Sequence, residues 1–287
     1  MNWSISSERL LLARFDLSNL DALIDKTQTS AKYRALDLPR ELLEDILIQE
    51  TRLAQNSADL ERRFREKLHN IIAPYLEEIN YPLEIENLQR FASTKPDREA
   101  LKSYCSAIMA RHASTRERLP FLEDFSEFLT PYFKESQSVL DLACALDPLI
   151  LPWLELDSLP EIICFDVHCP RIEFLNEYFR HFHTKGKAIR QDVLANPPKE
   201  KADLAIFFKE AHRFEKRRPG CNREFFQSLP AKTLIVSLPA KDLGSKHSLE
   251  SYHTRLIEEA ITGLGWNCVK TCIGNELLFV IQKGEIS

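Results

Sequence analysis

Apolar residues recur along this chain with two different periods, and the change falls near Ser138. Before it, Leu42, Leu43, Ile46 and Leu47 repeat at helical spacing between acids and predict a helix over Glu41–Leu53. Leu60, Phe64, Leu68, Ile71 and Ile72 predict another over Ser57–Leu76, with the charged run ERRFREK on its wet side. Further helices are predicted from Asp97 to about Arg111 and from Arg116 to Phe133, and Pro39, Pro74, Pro82 and Pro96 punctuate them. After it, short apolar runs predict strands over Ser138–Ala143, Glu161–Val167, Ala188–Asp192, Ala202–Phe208, Thr233–Leu238, Trp266–Ile273 and Glu276–Gln282. Helical patterns over Pro148–Glu155, Arg171–His183, Asn222–Ser228 and Leu249–Gly263 lie between the first six. Strands alternating with helices imply a doubly wound α/β fold with a parallel sheet. Only Gly274-Asn275 separates the last two strands, so the final one is expected to run antiparallel. Five or six parallel strands closed by a terminal hairpin are similar to the Rossmann-like class I methyltransferase plan, and a helical domain is expected over residues 1–110 with the sheet domain over 111–287.

Composition narrows the class without naming a job. The chain has 287 residues, 44% hydrophobic and 28% charged, which describes an ordinary globular protein. No run approaches the ~20 apolar residues of a membrane span, and the first residues lack the unbroken apolar core of a secretion signal. The seven cysteines form no Cys-x-x-Cys pair, so free buried thiols, no metal and a cytoplasmic location are expected. The net charge of −5 argues mildly against a nucleic-acid partner, but six lysines and arginines cluster between Lys209 and Arg223 against Glu210 and Glu215.

The first two strands carry the chemistry. Asp141 lies in the first and precedes a small-residue turn, Ala143-Cys144-Ala145; Asp166 ends the second. Small residues let backbone approach a nucleoside, and a carboxylate at the second strand tip accepts hydrogen bonds from ribose hydroxyls. The absence of a full Gly-x-Gly-x-x-Gly weakens a dinucleotide reading and favours S-adenosylmethionine, which has no pyrophosphate to cradle. Asp192, closing the third strand, is placed near the adenine, where a helix or turn cap is the competing reading. Lys209 follows the fourth strand, where open α/β sheets place substrate. Arg213, Lys216, Arg217, Arg218 and Arg223 read as a phosphate-binding stripe or, more plainly, as a solvated helix face. Asn196-Pro197-Pro198 lacks the following aromatic of an amine-methylating motif, and His181 and His183 diverge on a helix, so neither is assigned a role.

Several segments together resemble the aminoglycoside-resistance 16S ribosomal RNA (guanine-N7) methyltransferases. The matching stretches are Ser30 to Arg34, Lys67-Leu68-His69, the run His112-Ala113-Ser114-Thr115-Arg116-Glu117-Arg118, Leu140 to Cys144 and Phe174-Leu175-Asn176. Ala202 to Ala205, Arg218-Pro219-Gly220, Val236 to Pro239 and Leu243-Gly244 follow in the same order. The resemblance implies that Arg118 reaches the methionine carboxylate of the cofactor, and that His112, Asp141, Ala143, Ala145, Asp166, Val167, Gln191, Asp192 and Val193 line its pocket. It implies a catalytic-site Lys209, and contacts to 16S rRNA of the 30S subunit through Lys32, Arg34, Lys67, Lys209, Lys216, Arg217, Arg218, Lys241 and Lys246. The chain is expected to act as a monomer, and Arg118→Ala to weaken cofactor binding while leaving the fold intact. Two segments depart from the family. Its turn usually reads Ala-Cys-Gly-Leu-Asn-Pro where this chain has Ala145 and Asp147, and Gly244 to Leu249 replaces a target-binding Gly-Gly-Arg and Lys-Gly-Met pattern. These departures keep open a methyltransferase for another RNA site or a small molecule, and a non-catalytic ribosome-binding homologue.

Overall fold

The computed structural model describes residues 15, 17–73, 79–241 and 248–284, which form two compact units. The described part of Met1–Glu77, with Val167–Pro170, makes the first. It holds α1 (Leu17–Gln28), α2 (Arg40–Thr51) and α3 (Ser57–Ile72). In α3, Leu60, Phe64, Leu68 and Ile72 repeat every fourth position and are buried, while Asn56 caps the helix by accepting from the Asp59 amide. They pack with Ile24 of α1 and with Leu42, Leu43 and Ile46 of α2 in one cluster. α1 is not among the expected helices, because Leu20, Leu23 and Ile24 are too few to set a period.

The second unit runs over Glu78–Asp166 and Arg171–Ser287, so the compact boundary lies at 77/78 and not near residue 110. The helices α4 (Tyr81–Ser93) and α5 (Arg98–Met109) belong with the sheet: Tyr81, Leu88, Cys105, Ile108 and Met109 share a core with Val139 and Ile162. The change of period near Ser138 marks a change of secondary structure, not of core. α4 escaped notice because Pro82 reads as a breaker, yet at the first turn of a helix its missing N–H costs nothing.

After α6 (Ala113–Arg116) and α7 (Leu122–Lys134) come β1 (Ser138–Leu142), β2 (Glu161–Asp166), α8 (Cys169–Phe182), β3 (Gly186–Arg190) and β4 (Ala202–Phe208). Then follow α9 (Ala211–Arg217), α10 (Cys221–Ser228), β5 (Ala231–Pro239), α11 (Glu250–Ile261), β6 (Asn267–Ile273) and β7 (Glu276–Gln282). The strand order is β3-β2-β1-β4-β5-β7-β6, with β1 to β5 parallel and β7 antiparallel to both of its neighbours. Successive residues alternate between two cores. Leu204, Ile206 and Phe208 face the side covered by α4, α5, α7 and α8; Ala205 and Phe207 face α9, α10 and α11. The helix expected over Pro148–Glu155 is a 3-10 segment, Asp147–Trp153, which carries Pro152 inside it. The third strand ends at Arg190, so Gln191 and Asp192 lie beyond its tip.

Candidate functional site

The sheet reverses its winding between β1 and β4, where the chain leaves toward β2 on one side and continues from β4 to β5 on the other. Ligands of open α/β sheets bind at the carboxyl ends of the strands at such a point. Three residues there hold left-handed backbone without being glycine: Ala143 at φ 54°, Ala145 at φ 46° and Lys209 at φ 59°. Each costs on the order of 1 kcal/mol. The turn is pinned by neighbours: Cys144 N donates to Phe165 O at 2.8 Å, Asp147 N to Cys144 O at 2.8 Å, and Ala145 N to the Asp166 carboxylate at 3.0 Å. Asp166 also accepts from Arg171 Nη1 at 2.9 Å, and that fully buried arginine donates to the Tyr81 hydroxyl at 3.0 Å.

Arg118 sits buried on the same side. Its Nη1 donates to Asp147 at 2.6 Å, and its Nε and Nη2 donate to Glu276 at 3.1 and 2.6 Å. The Phe125 and Phe208 rings lie 4.1 and 5.0 Å from its guanidinium carbon. Lys209 Nζ donates to Ser114 O at 3.0 Å and to Glu117 at 3.1 Å, and lies 3.5 Å from Glu276. Glu276 accepts a further bond from Ser237 Oγ at 2.6 Å. Burial alone would push the Glu276 carboxyl up, but Arg118 and Lys209 outweigh it and hold it below its ordinary value. Burial and the neighbouring Asp147 push Asp141 well up, and its Oδ1 has no hydrogen-bond partner among the described residues. Asp147 is raised as well, burial outweighing Arg118. A narrow pocket opens here, lined by Glu117, Arg118, Phe121, Phe125, Lys209, Ile273, Asn275 and Glu276. Asp141, Cys144 and Cys164 bring an oxygen and two sulfurs within 4.8 Å of one another. Burial drives both thiols upward, Cys164 to about 11, so they stand as neutral groups.

The structure therefore gathers Arg118, Asp141, Ala143, Ala145, Asp166 and Lys209 at the strand tips, with His112 buried just before α6 and bonded through Nδ1 to Ser114 Oγ at 2.9 Å. The other expected residues lie as follows. Asp192, expected at the adenine, spends its oxygens on Arg217, at 3.0 and 2.5 Å, and caps the Leu194 amide. Arg217, expected on the phosphate stripe, is buried by the same pair. The stripe breaks again at Arg223, which donates to Thr262 O at 2.6 Å beyond the end of α11. Gln191 donates to Asn196 O at 2.6 Å, and Val193 is buried in the core under α9 and α10. Val167 packs on the cluster of the helical unit. Lys32 and Arg34 are exposed on that unit and Lys67 is half-buried; Lys32 Nζ lies 3.0 Å from His69 Nδ1. Lys216 and Lys241 are exposed and Arg218 half-buried, while Lys246 lies outside the described residues.

Sequence pattern does not single out Glu117, Glu276 or Arg171 as site residues, and it marks Asp147 only as an added charge. The one local signal for Glu276 is an acid opening an otherwise apolar strand directly after a tight turn.

A family model described as ribosomal RNA methyltransferase (FmrO) matches residues 29–281. A 16S rRNA (guanine(1405)-N(7))-methyltransferase of Micromonospora echinospora is 28% identical over 229 residues, 78% of this chain and 83% of the relative. The solved 16S rRNA methylase RmtB is similar with a TM-score of 0.72 at 26% identity, covering 93% of this chain and 99% of its own. The fold is also that of 16S rRNA methyltransferase RmtF, solved in complex with S-adenosyl-L-homocysteine, at a TM-score of 0.74 and 23% identity over 94% of this chain and 100% of that one.

Proposed function

We propose that this chain, which belongs to the ribosomal RNA methyltransferase (FmrO) family, methylates N7 of a guanine in the decoding site of 16S rRNA with S-adenosylmethionine. The observation that carries the reading is the cluster at the tips of β1, β2 and β4. The donor set suits the cofactor. Arg118 supplies a fork for its carboxylate, the buried Asp141 Oδ1, unpartnered among the described residues, an acceptor for its ammonium group, and Asp166 an acceptor for ribose hydroxyls. The left-handed residues Ala143 and Ala145 shape the turn beside them.

When bound, the cofactor supplies a methyl group on an electron-poor sulfonium. Guanine N7 carries its own lone pair, so the chain needs no general base and works by orientation. Lys209, fixed by Ser114 and Glu117, holds positive charge at the end of β4 where substrate approaches. A helical guanine must be unstacked to enter, at a cost on the order of a few kcal/mol. Lys216 and Lys241 on the sheet unit, and Lys32 and Arg34 on the helical unit, offset it through phosphates of the 30S subunit.

The test is transfer of labelled methyl from S-adenosylmethionine to purified 30S subunits and to naked 16S rRNA. Labelling of 30S subunits is expected. Labelling of naked rRNA or of a small molecule alone would move the substrate. A second reading, a ribosome-binding protein without catalysis, is favoured by the occupation of Arg118 by two acids. Retained binding to 30S subunits with no binding of S-adenosylmethionine would establish it.

A further inference from the structure

We propose that Asp147 sets the affinity of this site for its cofactor by holding the Arg118 nitrogen that an incoming carboxylate requires. The inference rests on the cofactor reading above and concerns a residue that reading does not use. Arg118 presents two donor edges, and both are taken: one by Glu276 through Nε and Nη2, the other by Asp147 through Nη1. With Phe125 and Phe208 packed against the guanidinium, a new carboxylate engages it by exchange. Glu276 is the poorer leaving partner, since it holds two of the guanidinium nitrogens, the Ser237 hydroxyl and a place 3.5 Å from Lys209. Arg118 is the sole side-chain hydrogen-bond partner of Asp147 among the described residues.

The exchange has an electrostatic consequence. Asp147 is buried at the start of a 3-10 segment, facing His112 and Arg118 before and after α6, Asp141 on β1 and Glu276 on β7. Once it gives up Arg118 it is a carboxylate among carboxylates in a dry site, where the neutral acid is the favoured form. Cofactor binding is thus an exchange of one carboxylate for another with uptake of a proton. Burial and Glu276 already hold the Asp147 carboxyl above its ordinary value, against the pull of Arg118, which eases that uptake. Asparagine at this position keeps the shape and removes both the competition and the proton.

The experiment is calorimetric titration of the full chain with S-adenosylhomocysteine, across pH and in two buffers of different ionisation heat. At about pH 8, Asp147→Asn is expected to bind about 10-fold tighter than the wild type, with the gap narrowing as the pH falls toward 6. The wild type takes up a proton on binding that the variant does not. Asp147→Ser, which cannot mimic the carboxylate, is expected to follow the asparagine variant. Equal affinity and equal proton uptake in all three proteins would overturn the proposal, as would weaker binding by both variants. No binding by any of them would remove the cofactor reading itself, and this inference with it.

Discussion

Arg118 joins parts of the chain that are far apart in sequence, and so its removal does more than empty a ligand site. The sequence alone expects Arg118→Ala to spare the fold. In the structure that substitution strands Asp147 and Glu276 together without their shared cation, an uncompensated buried charge that costs roughly 3–5 kcal/mol. Chemical denaturation of Arg118→Ala is expected to show a loss of that order alongside weakened cofactor binding; an unchanged midpoint would show that the pair contributes nothing to folding. Ala145 gives the opposite prediction. Its φ of 46° is one that glycine adopts freely, so Ala145→Gly is expected to raise stability by about 1 kcal/mol. A fall in the denaturation midpoint would mean that the methyl group packs usefully in the turn.

At the scale of elements, α9 turns its basic residues two ways. Lys216 faces solvent, whereas Arg217 is buried on Asp192. Lys216→Glu is therefore expected to weaken binding to 30S subunits while leaving the unfolding transition in place. Arg217→Ala is expected to destabilise by about 3 kcal/mol; the reverse pattern would restore the solvated stripe. In β3, a Cβ on Gly186 would sit 2.3 Å from the buried Phe179 ring, so Gly186→Ala is expected to cost about 2 kcal/mol in the same assay. Elements whose signal is local were legible in the sequence. The apolar runs of β1, β2, β4 and β7 and the four-residue repeat of α3 each declare themselves within a dozen residues. So did the small-residue turn and the two acids that flank it. What stayed hidden depends on distant partners. Glu276 reaches Arg118 across 158 positions and Asp192 reaches Arg217 across 25, and no local pattern says that a charge is to be neutralised from so far away. The boundary at 77/78 was hidden for the same reason, since α4 and α5 are helical by pattern and belong to the sheet by packing.

For the whole molecule, stability and function both follow from where charge is buried. Burial, with Arg213, His253, Lys216 and Lys209 nearby, pushes the His212 imidazole down to about 3. The unfolded chain takes up that proton below its ordinary value of 6.5, and the folded chain does not until far lower pH. Stability is thus expected to fall as pH drops from about 6.5 toward 3, and His212→Gln to flatten that slope; an unaltered slope would place the acid sensitivity elsewhere. No helix among the described residues is long and apolar enough to cross a membrane. The helical unit offers Lys32 and Arg34 to solvent, while Arg118, Asp141 and Asp166 lie in the sheet unit. The most direct measurement maps the methylated nucleotide on 30S subunits by chain cleavage at N7-methylguanine after incubation with the full chain and S-adenosylmethionine. One new cleavage site is expected, at a guanine of the decoding region, and it disappears when the cofactor is left out. Methyl transfer to any other atom or nucleotide, or cofactor binding with no cleavage at all, would contradict it.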